Sequence, residues 1–165
     1  MIYIGVDPGA KGGYAVISKS ETGQAVFAYP WDDTFFAMEM ANLMQFKEHG
    51  IVAAVEKVGA RPGQGTVSMF NFGKSAGYIE GVLSALGIPY QLIPPAKWKK
   101  EFSLIGKDKA ASIAACRHLF PELDLKRTER CKTDSDGKAE AALLACYAMR
   151  HFGEGYAEWI GRAHV

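Results

Sequence analysis

The chain is poor in cysteine, in long apolar runs and in net charge, and each shortage bears on what the protein can be. Its 165 residues include only Cys116, Cys131 and Cys146, an odd number that matches no metal-ligand spacing, so we expect reduced thiols. No apolar run approaches the roughly 20 residues that span a bilayer, and the chain opens on a strand-like run without a signal-type segment. We therefore expect a cytoplasmic protein with no membrane partner.

The net charge of +1 says nothing about partners, but the charges are unevenly distributed. Of the 19 Lys and Arg residues, 11 lie between Lys97 and Lys138, which favours a local basic surface. Hydrophobic residues make up 48% of the chain, which suits one compact domain with a real core. We expect this domain to span residues 1–152, followed by a tail at residues 153–165 that shows no clear pattern.

Two acidic residues each close a short apolar run that is typical of a buried strand. The run that starts at residue 2 ends in Asp7, and the run that starts at residue 51 ends in Glu56. A charge in such a place is costly unless it is paired, hydrogen-bonded or bound to metal. Two more acids, Asp136 and Glu140, begin an Ala- and Leu-rich helical pattern four residues apart, so both project from one helix face. All four carboxylates could therefore converge on one point.

The order of the predicted elements indicates an α/β fold, a mixed sheet with helices on its faces. If the strands that end at the two acids are parallel neighbours, both acids reach the same edge of this sheet. Lys57–Gly65, with three glycines and a proline, predicts an exposed loop beside Glu56. Pro94 and Pro95 predict a break, and Pro121–Asp134 is predicted to be the most flexible region. The other predicted elements are strands at Tyr14–Ser18, Ala25–Tyr29 and Tyr90–Ile93, and helices at Thr34–His49, Val67–Leu86, Asp108–Phe120 and Asp136–His151.

Four oxygen donors without His or Cys favour a hard cation such as Mg²⁺, which proteins bind through a few carboxylates, water and substrate phosphate oxygens. The corresponding chemistry is phosphodiester hydrolysis. With two ions roughly 3.5–4 Å apart, one lowers the pKa of an attacking water and the other stabilises the leaving oxygen. Two of the acids also have a simpler explanation. Asp7 with Pro8 and Gly9 can be a turn or the phosphate loop of an actin-like kinase, and Asp136 can be only a helix N-terminal acid. Such a kinase needs a second phosphate loop and far more chain, so we expect no nucleotide cofactor.

The basic segment after Pro95 combines lysines with an aromatic residue, a pattern that favours contact with nucleic acid. We predict such contacts from Lys57 and Arg61 on the loop after Glu56, and from Lys97, Trp98, Lys99, Lys100, Lys107 and Lys109. The lysines can also form an ordinary solvated surface, and the Trp98 ring can pack beneath the loop. Three glycines on one helix face can serve either core packing or a dimer interface; they are Gly73, Gly77 and Gly81.

Three phrases of the sequence carry a resemblance to a known family. They are Gly5–Gly9 with Gly12–Val16, then Val55–Val58, then Asp136–Leu144. In their order and spacing the chain resembles the RuvC family of Holliday-junction resolving endonucleases over about residues 1–150. Four further phrases resemble the short phage and prophage branch of that family, namely Glu56–Gly65, Asn71–Gly73, Pro95–Lys100 and Gly106–Lys109.

The resemblance implies an RNase H-like fold, a mixed five-stranded sheet flanked by helices. It also implies a homodimer that cuts branched DNA structure-selectively and resolves four-way junctions by paired nicks, in phage recombination, replication or packaging. The implied cofactor is Mg²⁺, with Mn²⁺ as a substitute and two ions per active site. By motif position, Asp7 and Glu56 are the first two metal ligands, Asp136 matches the phage-like third acid, and Glu140 matches the last acid.

The sequence departs from the family pattern at two places. Ser135 stands where the phage-like pattern often has His, so a role for that His is absent here. Gly59–Arg61 stands where the cellular enzymes have an aromatic base-contacting residue, so the resemblance does not extend to a cognate-sequence preference.

Two other classes stay open at the level of the sequence. A less specific RNase H-like nuclease, acting on flaps, duplex DNA or RNA–DNA hybrids, would use the same metals and differ in its groove. A noncatalytic junction-binding protein would be expected to lack an acid, and all four acids are present.

Overall fold

A five-stranded mixed sheet organises the protein, whose computed structural model describes residues 1–59, 63 and 65–153. The strands are β1 (Ile2–Asp7), β2 (Gly13–Ser20), β3 (Gly23–Pro30), β4 (Ile51–Glu56) and β5 (Tyr90–Ile93). Their order in the sheet is β3-β2-β1-β4-β5; β2 is antiparallel to both β1 and β3, whereas β4 pairs in parallel with both β1 and β5. The predicted mixed sheet is confirmed, and so is the parallel pairing of the two strands that end in acids.

Helices cover both faces of this sheet. Successive strand residues point to opposite faces, so Tyr3 and Val52 pack in one core while Ile4 and Ala53 pack in the other. The helices are α1 (Asp33–Leu43), a 3-10 helix (Met44–His49), α2 (Thr66–Ala85), α3 (Pro95–Glu101), α4 (Lys109–Leu119) and α5 (Asp136–His151). The first core lies under α3, α4 and α5, and the second lies under α1 and α2. Within the described residues, no helix has the length and apolar character needed to cross a membrane.

Two glycines allow α5 to lie unusually close to β1 and to the turn after it. A Cβ atom added at Gly5 would lie 2.1 Å from the carbonyl oxygen of Ala141, and one added at Gly137 would lie 2.2 Å from that of Lys11. Such distances are far below van der Waals contact, so only glycine fits at either position. This close packing brings the N-terminal turn of α5 to the edge of the sheet where β1 ends.

The predicted break at Pro94 and Pro95 is confirmed, because β5 ends at Ile93. The sequence analysis predicted no helix there, whereas Pro95 begins α3, since proline is well tolerated in the first turn of a helix. One predicted helix also differs from the structure. The predicted helix Thr34–His49 is α-helical only as far as Leu43 and continues as the 3-10 helix.

The segment Pro121–Asp134, predicted to be flexible from its charge content, is held at several points. Leu125 is fully buried, and Arg117 binds the Asp134 carboxylate through two nitrogens, with Nη2 at 2.9 Å from Oδ2. Arg127 donates to the carbonyl oxygen of Ala10 at 3.1 Å. Polar anchoring of this kind depends on tertiary contacts, which the local composition does not reveal.

Candidate active site

Three acids from three separate elements meet at one edge of the sheet. Asp7 is the last residue of β1, Glu56 is the last residue of the adjacent parallel strand β4, and Glu140 lies one turn into α5. One carboxylate oxygen from each residue lies within 4.8 Å of the other two, and all three residues are partly buried. The parallel pairing of β1 and β4 sets the first two acids side by side, and the close approach of α5 adds the third.

The fourth predicted acid, Asp136, lies beside this group and is not a member of it. Its Oδ2 accepts a hydrogen bond from Nζ of Lys109, so its nearest partner is a cation. The N-cap of α5 is Ser135, whose Oγ accepts from the backbone N–H of Lys138 at 3.3 Å. Asp136 is therefore not the cap itself, and capping alone does not explain its position.

The electrostatics of the cluster are those of a site with excess negative charge. Burial raises the pKa of the Asp7 carboxyl well above its usual value, and the charges of Glu56, Glu140 and Asp136 raise it further. The ammonium of Lys99 opposes this effect only in part. A cation between the carboxylates would relieve both the repulsion and the cost of burial.

The donor set of the three acids fits a divalent hard cation. Each contributes a carboxylate oxygen, and hard cations such as Mg²⁺ and Ca²⁺ take oxygen ligands. The separation of the three oxygens is compatible with their coordinating one ion together. The triad could therefore hold a metal, and Asp136 is close enough to influence the charge at Asp7.

Three side chains contact two of the carboxylates. The indole N–H of Trp98 donates to Oε2 of Glu56 at 2.8 Å, and Oγ of Ser112 donates to Oε1 of Glu140 at 2.9 Å. Nζ of Lys99 lies 3.4 Å from the same oxygen of Glu140. No sequence pattern connected any of these three residues to an acid. For Ser112 the available signal was a polar residue at a buried position of α4, which packs against α5.

Trp98, which was predicted to contact nucleic acid, lies in the core, as the alternative of a packed ring expects. Trp98 has 0% exposed surface and its ring packs in the core, 6.5 Å from the ring of Phe102, so it offers no face to a base. The neighbouring lysines gave the segment a basic, exposed pattern, but α3 turns position 98 inward. Lys99 was also predicted to contact phosphate. In the structure its Nζ lies near the carboxylate of Glu140 and 5.1 Å from the centre of the Trp98 ring.

Two of the other predicted contact residues lie next to acids of the site. Lys57 directly follows Glu56, and Lys109 pairs with Asp136. The exposed lysines of this set are Lys57, Lys97, Lys100, Lys107 and Lys109, and their contact with nucleic acid stays a prediction. Arg61 lies outside the described residues.

Comparisons with known proteins point in one direction. No family model matches the chain. A segment of 90 residues, or 53% of this chain, is 32% identical to the chloroplastic Holliday junction resolvase MOC1 of Chlamydomonas reinhardtii. The match covers 10% of that protein, so the chain spans about a tenth of the length of this relative.

Two solved structures extend the likeness over the described fold. The structure of Thermus thermophilus RuvC has a TM-score of 0.53 and 17% identity, covering 91% of this chain and 96% of that one. The structure of T. thermophilus RuvC in complex with a Holliday junction substrate has a TM-score of 0.56 and 15% identity, covering 92% and 97%. At such identities the likeness establishes the fold. The chain therefore has the RuvC fold, an RNase H-like mixed five-stranded sheet flanked by helices.

Proposed function

We propose that the chain is a metal-dependent endonuclease that hydrolyses phosphodiester bonds in branched DNA and resolves four-way junctions by paired nicks. The observation that carries this proposal is the convergence of Asp7, Glu56 and Glu140 at the carboxyl ends of two parallel strands. The sequence relative that is a Holliday junction resolvase and the RuvC structure bound to a junction support the choice of substrate.

The cofactor in this proposal is Mg²⁺, with Mn²⁺ as a substitute and two ions per site. When bound, the ions would lower the pKa of an attacking water and stabilise the leaving oxygen. The protein's part is to supply oxygen ligands from Asp7, Glu56 and Glu140, with Asp136 as a fourth ligand once it is released from Lys109. The buried donors Trp98 and Ser112 keep two of these carboxylates in place.

The lysines around the cluster suit a polyanionic substrate. Lys57, Lys97, Lys100 and Lys107 are exposed and lie on the loops and helix that follow β4 and β5. Phosphate contacts from such residues give affinity and orientation without reading sequence. Lys109 adds a cation next to the acids, where it can contact a phosphate if Asp136 turns to a metal ion.

A homodimer would supply the second active site that paired nicks require. The face of α2 that carries Gly73, Gly77 and Gly81 is exposed, and apart from the adjacent residues and the nearby backbone of α2 itself, no described atom comes within 4 Å of a Cβ placed on any of them. These glycines therefore do not serve core packing within the described chain. Val67 and Phe70 on the same helix are 75% and 72% exposed, an apolar surface that a second copy could cover.

The biological setting belongs to the same proposal. The resemblance to the phage and prophage branch suggests a role in phage recombination, replication or packaging, in the cytoplasm of the host cell. The three cysteines are free thiols in the structure, in keeping with a reducing compartment.

A substrate panel tests the proposed function. The protein is incubated with labelled four-way junction, flap, linear duplex and RNA–DNA hybrid of matched sequence, in Mg²⁺ and in EDTA. The proposal predicts cleavage of the junction in Mg²⁺ with little cleavage of the duplex. Equal cleavage of all four substrates would favour a general RNase H-like nuclease, and tight junction binding without cleavage would favour a noncatalytic binding protein.

A further inference from the structure

We infer that Trp98 is a positioning residue for metal binding, whose indole N–H fixes the carboxylate of Glu56 in the orientation that a divalent cation requires. This inference rests on the proposed function, because it assumes that Glu56 is a metal ligand. It assigns a new role to Trp98, which the sequence pattern predicted to contact nucleic acid.

The contact between Trp98 and Glu56 is a hydrogen bond whose donor lies in the core. Nε1 of Trp98 lies 2.8 Å from Oε2 of Glu56, and Trp98 is among the largest fully buried side chains of the described protein. A buried indole N–H without an acceptor would cost free energy, so burial of this ring demands a partner. A charged acceptor makes the bond stronger and shorter than a neutral one would.

The ring is held rigidly enough to position its partner. It belongs to α3, which begins at Pro95 directly after β5, and β5 is the parallel neighbour of the strand that carries Glu56. The ring of Phe102, the residue directly after α3, lies 6.5 Å from it, centre to centre. The pairing of β5 with β4 therefore sets the position of α3, and with it the position of the Trp98 N–H next to Glu56.

The same helix serves a second acid of the cluster. Lys99, the next residue, brings its Nζ to 3.4 Å from Oε1 of Glu140. Trp98 thus approaches one acid from the core while Lys99 approaches another from the more exposed side. Donors behind metal ligands commonly orient them, and their removal typically costs about 10–100-fold in metal affinity or activity.

The competing explanation is that the ring only fills the core. Two substitutions separate the roles. Trp98→Phe keeps an aromatic ring and removes the N–H, and replacement of Trp98 by β-(3-benzothienyl)alanine keeps the shape of the indole with sulfur in place of the N–H. The matched control is Phe102→Leu, which loosens the packing against the indole and leaves the donor intact.

The measurement is Mn²⁺ binding to the DNA-free protein by calorimetry, with thermal unfolding recorded for each variant. We expect both donor-lacking variants to bind Mn²⁺ about tenfold more weakly, whereas Phe102→Leu lowers the Tm and leaves Mn²⁺ affinity unchanged. In junction cleavage, the donor-lacking variants should need more Mn²⁺ and recover at saturation.

The outcomes distinguish this inference from the proposed function. Unchanged Mn²⁺ affinity in the benzothienyl variant would overturn the inference and leave the nuclease proposal standing. Weaker Mn²⁺ binding in that variant would support the inference even if the wild-type protein cleaved no junction, a result that would overturn the proposed function alone. A wild-type protein that binds no Mn²⁺ would overturn both.

Discussion

The ammonium group of Lys109 donates a hydrogen bond to the carboxylate of Asp136, and this contact joins the first residue of α4 to the first residue of α5. The basic segment therefore contacts the acid that lies beside the triad. The contact also raises the pKa of Lys109, with the hydrogen bond to Asp136 as the largest cause. In the metal-free protein this lysine neutralises the acid that stands beside the triad.

The first prediction concerns Asp136. If the carboxylate leaves Lys109 to bind metal, Asp136→Asn should reduce junction cleavage by at least about a hundredfold while junction binding is retained, because a ligand is lost and the basic contacts remain. Single-turnover cleavage and gel-shift binding measure the two effects. Near wild-type turnover would show that Asp136 serves only to pair with Lys109. Asp134→Asn is the control for an acid outside the cluster, since Asp134 is bound by Arg117.

The second prediction concerns the lysines around the site. Changing both Lys107 and Lys109 to Ala should weaken junction binding and flatten the slope of log affinity against log salt by about two, because two phosphate contacts are lost. Sequence preference should not change. Lys47→Ala is the control, since Lys47 is an exposed lysine of the 3-10 helix that precedes β4, away from the acidic strand ends. An unchanged salt slope in the double variant would show that both lysines belong to an ordinary solvated surface and do not contact phosphate.

The third prediction uses the raised pKa of Asp7. A carboxyl whose pKa is higher in the folded than in the unfolded state stabilises the fold when protonated, and this stabilisation is lost as the pH rises from the unfolded value of about 3.9 through the raised folded value. At pH 7 the Asp7 carboxyl therefore destabilises the metal-free protein relative to pH 4. Asp7→Asn should raise the Tm in EDTA at pH 7 by a few degrees, and the gain should shrink toward pH 4.

The same variant separates stability from activity. Asp7→Asn should lose junction cleavage and should also lose most of the stabilisation that Mg²⁺ gives to the wild-type protein. Thermal unfolding in EDTA and in Mg²⁺ at both pH values tests this pair of effects. A lower Tm for Asp7→Asn in EDTA at pH 7 would contradict the electrostatic account of the site.

The fourth prediction concerns the exposed glycine face of α2. Gly77→Arg places a long charged side chain where the proposed dimer needs close approach, so it should give a monomer at micromolar concentration while the fold is retained. Sedimentation velocity, alone and with junction DNA, measures the change. Gln45→Arg, at an exposed position of the 3-10 helix, is the control and should leave the assembly as it is. A wild-type protein that stays monomeric on junction DNA would contradict the proposed dimer.

The sequence was most informative where one local pattern decides a structure. The apolar runs ending at Asp7 and Glu56 and the helical pattern after Asp136 predicted β1, β4 and α5 with their bounds. The fold followed from these elements and from the resemblance, and three of the four acids that were expected to converge do so. The partners of the acids did not follow, because they depend on how distant elements pack. Trp98 lies among exposed lysines in sequence, and only the turn of α3 shows that its ring faces the core.

The central claim is that this chain resolves four-way junctions by paired nicks. A supercoiled plasmid with an extruded cruciform tests it most directly, because paired nicks across the junction give linear product, whereas single nicks give open circles. We predict linear product from the wild-type protein in Mg²⁺ and none in EDTA or from Asp7→Asn. Open circles alone, or linear product from a plasmid without the cruciform, would contradict the account.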